Sequence, residues 1–340
     1  MALIKHKNWC KILSGMLIAN VETNVMGRRW YANNTKIDWN KLRPMIKQRI
    51  ENRSSGYPIR SMIPIAEEVL QARSAVICGV SALLKVLPVR ACKYCPEVYV
   101  GETGHLIRSC HGHRRLNKNQ AHQWIRASLN DILVPVETFH LDNMVQDVIK
   151  HQQRFDFDRV PAVVELCCQA GAIPHDLDIQ SLNSLSDPNV DLDLSGPDSL
   201  SADQLKAIGN RTLSAWEILR HGVQKLLLVY SAKVCKYCSE VHVGPSGHKA
   251  RLCGVFKYQN WRGNHFWEKA GVDDLVPPKM VWFRRPQDPP ALLHEDRNYY
   301  GHAPAVIDLC MKAGAVPPPK YLCMMKAQGL KGPPPHRASG

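Results

Sequence analysis

Residues 92–110, CKYCPEVYVGETGHLIRSC, return at 235–253 as CKYCSEVHVGPSGHKARLC, with twelve of nineteen positions identical. The identities include the residues able to bind a soft metal ion: Cys92 and Cys235, Cys95 and Cys238, His105 and His248, Cys110 and Cys253. The offset of 143 continues without net gap. It carries His122 onto His265, Trp124 onto Trp267, Asp131 onto Asp274 and Pro135 onto Pro278, and PAVVELCCQAGAIP at 161–174 onto PAVIDLCMKAGAVP at 304–317. The repeat unit, about 115 residues spanning 60–174 and 203–317, is domain-sized, whereas solenoid repeats run to about 20–50 residues. The chain must therefore fold the same plan twice. We read it as α+β, mainly α: two tandem homologous domains, each a helical domain with a short β-hairpin carrying a Cys3His site.

Each copy opens with a helix signal. Pro64 suits a first helical position, and Ala66, Val69, Leu70, Val76, Ile77, Val80, Leu83, Leu84 and Leu87 follow at three- and four-residue steps. In the second copy Ser201 and Gln204 form a capping-box pattern ahead of Leu205, Ile208, Trp216, Leu219, Val223, Leu226 and Leu227. EVYVG and EVHVG alternate like strands and end at glycine, so a small hairpin is expected to carry the metal cluster. A closing helix begins at Pro161 or Pro304 and stops at Gly171 or Gly314, where a glycine C-cap fits. Cys167 and Cys310 lie on these apolar helices and read as core.

Both copies show C-x2-C-x9-H-x4-C, four donors that close a tetrahedron and leave no position for an activated water. The pattern predicts two structural Zn2+ ions, held by Cys92, Cys95, His105 and Cys110 and by Cys235, Cys238, His248 and Cys253. An iron–sulfur cluster is the competing occupant, since ligand type alone does not separate the two. Glu97 and Glu240 recur just after the knuckle, either as acceptors for the histidine N–H or as solvent-facing strand residues. Twelve cysteines in 340 residues is too sparse for a disulfide scaffold and points to a reducing compartment.

The formal charge is +14, and it concentrates around the clusters: residues 83–127 carry eight Lys or Arg against two acids, and 226–270 carry seven against two. Lys93, Arg108, Arg114, Arg115 and Lys118 in the first copy, and Lys236, Arg251, Lys257 and Arg262 in the second, are candidate phosphate contacts. Trp124, Trp261, Trp267, Tyr258 and Phe256 are interleaved with them, as base stacking requires. For Trp124 and Trp267 core packing competes with stacking. No phosphate-cradling glycine loop, nucleophile elbow or H-E-x-x-H is present, so a non-enzymatic protein is expected. No uncharged apolar run of spanning length occurs, which predicts no membrane insertion.

Residues 1–31 hold five basic residues and one acid, and RRWYAN resembles a mitochondrial processing site with cleavage after Tyr31; a disordered basic terminus is the alternative. Processing there leaves 39 basic and 29 acidic residues, so the basic character survives. The expected order is then a presequence at 1–31, a basic extension at 32–59, domain 1 at 60–174, an acidic linker at 175–202, domain 2 at 203–317 and a proline-rich disordered tail at 318–340. Residues 175–203 contain seven aspartates and no Lys or Arg, which suits a solvated linker or one folded back on a basic surface.

The blocks CKYCPEVYVGETGHLIRSC, NDILVPVE and RFDFDRVPAVVELCCQAG, with their second copies, resemble the plant APO family, named for accumulation of photosystem one. The resemblance covers both repeats. It implies a plant organellar protein whose paired domains form a zinc-dependent RNA-binding module, with intron-containing organellar transcripts and other splicing factors as partners. In that family, chloroplast members assist group II intron splicing and were earlier linked to assembly of complexes containing [4Fe-4S] clusters. Assembly of such complexes is thus the alternative function, and a scaffold binding only protein partners is a third. The serine-poor leader departs from chloroplast members and favours the mitochondrial matrix over the chloroplast stroma.

Overall fold

A computed structural model describes residues 39–112, 121–173, 200–254 and 263–327. The expected presequence, nearly all of the acidic linker, the end of the tail, and Arg114, Arg115, Lys118, Lys257, Arg262, Trp261, Tyr258 and Phe256 lie outside the described residues. The described residues from 46 onward cluster as one compact unit. The two homologous halves do not stand side by side as separate bodies.

Two long helices form the centre. α1 (Trp39–Ser54) precedes α2 (Ile63–Val86), whose first turn contains Pro64 and whose stripe Ala66, Val69, Leu70, Val76, Val80 and Leu83 is buried. Among the described residues α2 alone is long and apolar enough to cross a membrane. It turns its buried face to the core and to α5, the matching helix of the second half (Ala202–Val229, the fifth α-helix among the described residues). The start of α5 is capped as its sequence requires: Ser201 Oγ accepts the Gln204 N–H at 3.2 Å, and Gln204 Oε1 accepts the Ser201 N–H at 2.8 Å.

Glycines let the two helices approach. A Cβ on Gly79 would lie 1.9 Å from Thr212 Oγ1, and one on Gly222 would lie 2.3 Å from Val69 Cγ2. The repeat offset carries Gly79 to Gly222 and Val69 to Thr212, so the same contact is made twice, once in each direction. The helices thus cross about a pseudo-twofold axis, in the manner of an isologous dimer interface.

Each half adds a three-stranded antiparallel sheet. In the first, β1 (Val89–Cys92) pairs with β2 (Val98–Val100) on one side and β3 (Trp124–Arg126) on the other. In the second, β6 (Ala232–Cys235) pairs with β7 (Val241–Val243) and β8 (Trp267–Lys269). The predicted hairpin is present as β1–β2 and β6–β7, and a third strand widens it. Downstream, short α3 (Leu129–Ile132) leads to β4 (Glu137–Phe139), which pairs with β5 (Arg159–Pro161) before α4 (Ala162–Gln169). Its counterparts are α6 (Val272–Leu275), β9 (Met280–Phe283), β10 (Gly301–Pro304) and α7 (Ala305–Lys312). Gly171 at φ 90° and Gly314 at φ 92° end the closing helices; the following N–H groups of Ala172 and Ala315 each donate back at 3.0 Å, to Cys167 O and Cys310 O. Cys167 and Cys310 are fully buried.

The halves are interlocked at these sheets. β4 and α4 of the first half pack on β7 of the second, while β9 and α7 pack on β2 of the first. Lys249 N–H donates to Ile149 O at 2.7 Å, and its counterpart Leu106 N–H donates to Leu292 O at 2.8 Å. Arg251 N–H donates to His151 Nδ1 at 3.0 Å, and Arg108 N–H to His294 Nδ1 at 3.1 Å. One continuous core runs through both halves.

The tail requires a correction. Disorder was expected from residue 318, yet Pro319–Tyr321 form a 3-10 turn, Tyr321 and Met325 are buried, and the Tyr321 hydroxyl donates to Glu217 Oε1 at 2.6 Å. His302 N–H donates to Met324 O at 3.0 Å. Apolar anchors set between the prolines outweigh the compositional signal.

Candidate metal centres

The end of β1 delivers Cys92, and a tight knuckle follows. Cys92 N–H donates to Glu97 O at 2.9 Å, Lys93 N–H to Gln123 O at 2.9 Å, and Tyr94 N–H to Cys92 Sγ at 3.4 Å. The Lys93–Gln123 bond brings in the chain just before β3, and with it His122. The donor atoms of Cys92, Cys95, Cys110 and His122 all lie within 4.8 Å of one another, as do those of Cys235, Cys238, Cys253 and His265. Cys92 Sγ is 3.9 Å from Cys110 Sγ, Cys95 Sγ is 3.4 Å from His122 Nδ1, and Cys238 Sγ is 3.3 Å from His265 Nδ1. A tetrahedron with Zn–S near 2.3 Å and Zn–N near 2.0 Å imposes donor separations of about 3.4–3.8 Å.

The sequence assigned the fourth position to His105 and His248, and the structure places them elsewhere. His105 Nδ1 accepts the Ile107 N–H and His248 Nδ1 the Ala250 N–H, both at 3.2 Å, so each ring carries its proton on Nε2 and faces a carboxylate. His105 Nε2 is 3.9 Å from Glu97 Oε1, and His248 Nε2 is 3.6 Å from Glu240 Oε1. Burial holds His105 down at about 4 and keeps it neutral. In-line spacing favoured the nearer histidine. The strand pairing of β1 with β3 supplies the farther one, and the signal available beforehand was that His122 and His265 also coincide in the repeat.

The donor chemistry fits a cation. At Cys92 burial works to raise the thiol, but the Tyr94 N–H and a contact with His122 outweigh it and bring the group down to about 6. Burial and the neighbouring Cys92 push Cys95 up to about 12, and burial with Cys235 does the same to Cys238. Thiolates brought this close repel one another, and a metal cation would neutralise them.

Glu97 anchors the first centre. Its Oε2 accepts from His122 Nε2 at 2.7 Å, the Ser109 hydroxyl donates at 2.7 and 2.9 Å, and Trp282 Nε1 from the other half donates to Oε1 at 3.1 Å. Burial would raise this carboxyl, but His122 and Ser109 hold it down to about 2. A carboxylate placed in this way would fix the ring of a metal-ligating histidine. Glu240 accepts instead from Arg159 Nη1 of the first half at 2.5 Å.

Trp124 and Trp267 are half-buried walls of the centres. Trp124 stacks on His122 and Trp267 on His265, each at 4.8 Å between centroids, and their indole N–H groups donate to His105 O and His248 O at 3.3 and 3.1 Å. Gly104 and Gly247 leave the space these rings fill. Lys93, Lys236, Arg108 and Arg251 are exposed around the centres. The sequence reading passed over Tyr94 and Tyr237, which are 41% and 39% exposed within the knuckles, with Lys93 Nζ 5.8 Å from the Tyr94 ring centroid. Their identity in both CKYC motifs was the available signal.

Duplicated Cys3His groups on small sheets, closed by a shared helical core, define a protein with two candidate metal centres. The family model described as APO RNA-binding matches at residues 31–181 and again at 182–330. The chain is 37% identical to APO protein 2, chloroplastic, of Arabidopsis thaliana, over 85% of this chain and 71% of the relative. It is 37% identical to APO protein 1, chloroplastic, over 83% and 72%, and 32% identical to APO protein 3, mitochondrial, over 80% and 74%, both from the same plant. It belongs to the APO family. No solved structure gives a significant match.

Proposed function

We propose that this chain is a non-enzymatic, organellar RNA-binding protein in which two structural zinc ions hold a basic surface in shape. The single observation carrying this reading is that each Cys3His group lies beneath exposed cations and a tyrosine in a chain whose family model is named for RNA binding. Zinc is favoured over an iron–sulfur cluster by the donor spacing. A four-iron cluster spreads its cysteines over different irons, whereas these donors converge within 4.8 Å.

Lys93, Arg108, Lys236 and Arg251 are assigned to phosphates, together with Arg114, Arg115, Lys118, Lys257 and Arg262, and Tyr94 and Tyr237 to stacking. Trp124 and Trp267 serve the surface by supporting the ligand histidines. The role is group II intron splicing or transcript maturation, in the mitochondrial matrix, alongside other splicing factors. The name of APO protein 3 and the basic leader support that location.

The test is purification with bound metal measured, then titration of intron RNA across a salt series. We expect two zinc ions per chain and a log K that falls steeply with log salt, as phosphate contacts require. Salt-insensitive binding, or binding unchanged after metal removal, overturns the reading. Crosslinking in organelles with sequencing of attached RNA identifies the transcripts.

A further inference from the structure

The repeat preserves the ligands but not what stands behind them. Position 109 is serine and its counterpart 252 is leucine; Trp282 corresponds to Phe139, and His302 to Arg159. These three exchanges all meet at Glu97 or Glu240.

At the first centre the Ser109 hydroxyl touches both Glu97 oxygens and lies 3.1 Å from His122 Nε2, while Trp282, tilted against His302 with 4.1 Å between ring centroids, donates to the same carboxylate. Every partner directs Glu97 onto the ligand ring. At the second centre Leu252 offers no hydroxyl. Phe139 packs edge-on to His248 at 5.1 Å and offers no N–H, and Arg159, 4.7 Å over the Phe139 ring, holds Glu240 instead. His265 Nε2 is buried and has no hydrogen-bond partner among the described residues.

We infer that the two centres are unequal: the first holds its ion tightly through the Ser109–Glu97–His122 relay, and the second, with His265 unsupported, is the exchangeable one. Ser109 and Glu97 are thus positioning residues, acting on the metal through His122. The inference rests on the zinc reading above. Loss of an outer-shell partner costs roughly 10–100-fold in metal affinity, which sets the scale of the difference.

The experiment uses the full chain loaded with two zinc ions and challenged with a chromophoric chelator. Two release phases are expected, differing about tenfold or more. Single-centre proteins Cys110→Ser and Cys253→Ser assign them, the slow phase surviving in Cys253→Ser. Ser109→Leu should accelerate only the slow phase, toward the fast one. Should the cysteine variants misfold, cadmium NMR of the intact chain replaces them: two resonances, with the one perturbed by Ser109→Leu being the last to disappear on chelator titration. Equal rates, or a first centre that empties sooner, overturn the inference and leave the zinc reading standing. A chain that takes up no zinc overturns both.

Discussion

His122 and His105 illustrate what a ligand assignment rests on. Both are buried beside Glu97, their rings 4.8 Å apart between centroids, but only His122 shares a cluster with the three thiols. His122→Ala is therefore expected to lower bound zinc from two ions per chain to one by elemental analysis, and His265→Ala to do the same. His105→Ala should keep both ions while lowering the melting temperature, because it removes packing under Trp124. The knuckle tyrosines provide a second residue-level test. Tyr94→Ala or Tyr237→Ala should weaken RNA binding by about 1–3 kcal/mol per stacked base without changing metal content. Lys93→Ala should instead reduce the salt slope by about one. The clustered cysteines were legible in the sequence because a knuckle is a local motif. The fourth ligand was not, since it depends on β3 pairing back onto β1.

At the level of elements, periodicity and caps located the helices well: Pro64, the Ser201–Gln204 box and the glycines at 171 and 314 all lie where α2, α5, α4 and α7 begin or end. What those signals could not express is which half an element packs against. β4 and β9 carried no signal in the sequence, and each packs against the sheet of the opposite half, a partnership across more than a hundred residues. The helix crossing makes a sharper prediction. Gly79→Ala forces a methyl against Thr212, and Gly222→Ala one against Val69, in a site that is already close-packed. Overpacking of this kind costs about 1–3 kcal/mol, and each variant should show a correspondingly lower denaturation midpoint. Because the two contacts are pseudo-symmetric, the two losses should be similar in size.

For the whole molecule, the shared core makes the halves interdependent. Residues 46–173 or 200–327 expressed alone are expected to give no folded monomer, and the intact chain to unfold in one cooperative step by circular dichroism. A separately folded half, or two resolved transitions, would contradict this. Stripping zinc should lower the stability of the whole unit and not of one half alone, since each centre's glutamate is held from across the pseudo-twofold axis by Trp282 or Arg159.

That exchange of supports also says something about ancestry. A polypeptide with a single copy of the unit would lack the clasp over its own centre and could obtain it only by embracing a second molecule of itself. Joining two copies in one chain turns that encounter into an intramolecular one, at an effective concentration on the order of millimolar. Once joined, the two faces need no longer match, and here one carries Trp282 and His302 where the other carries Phe139 and Arg159.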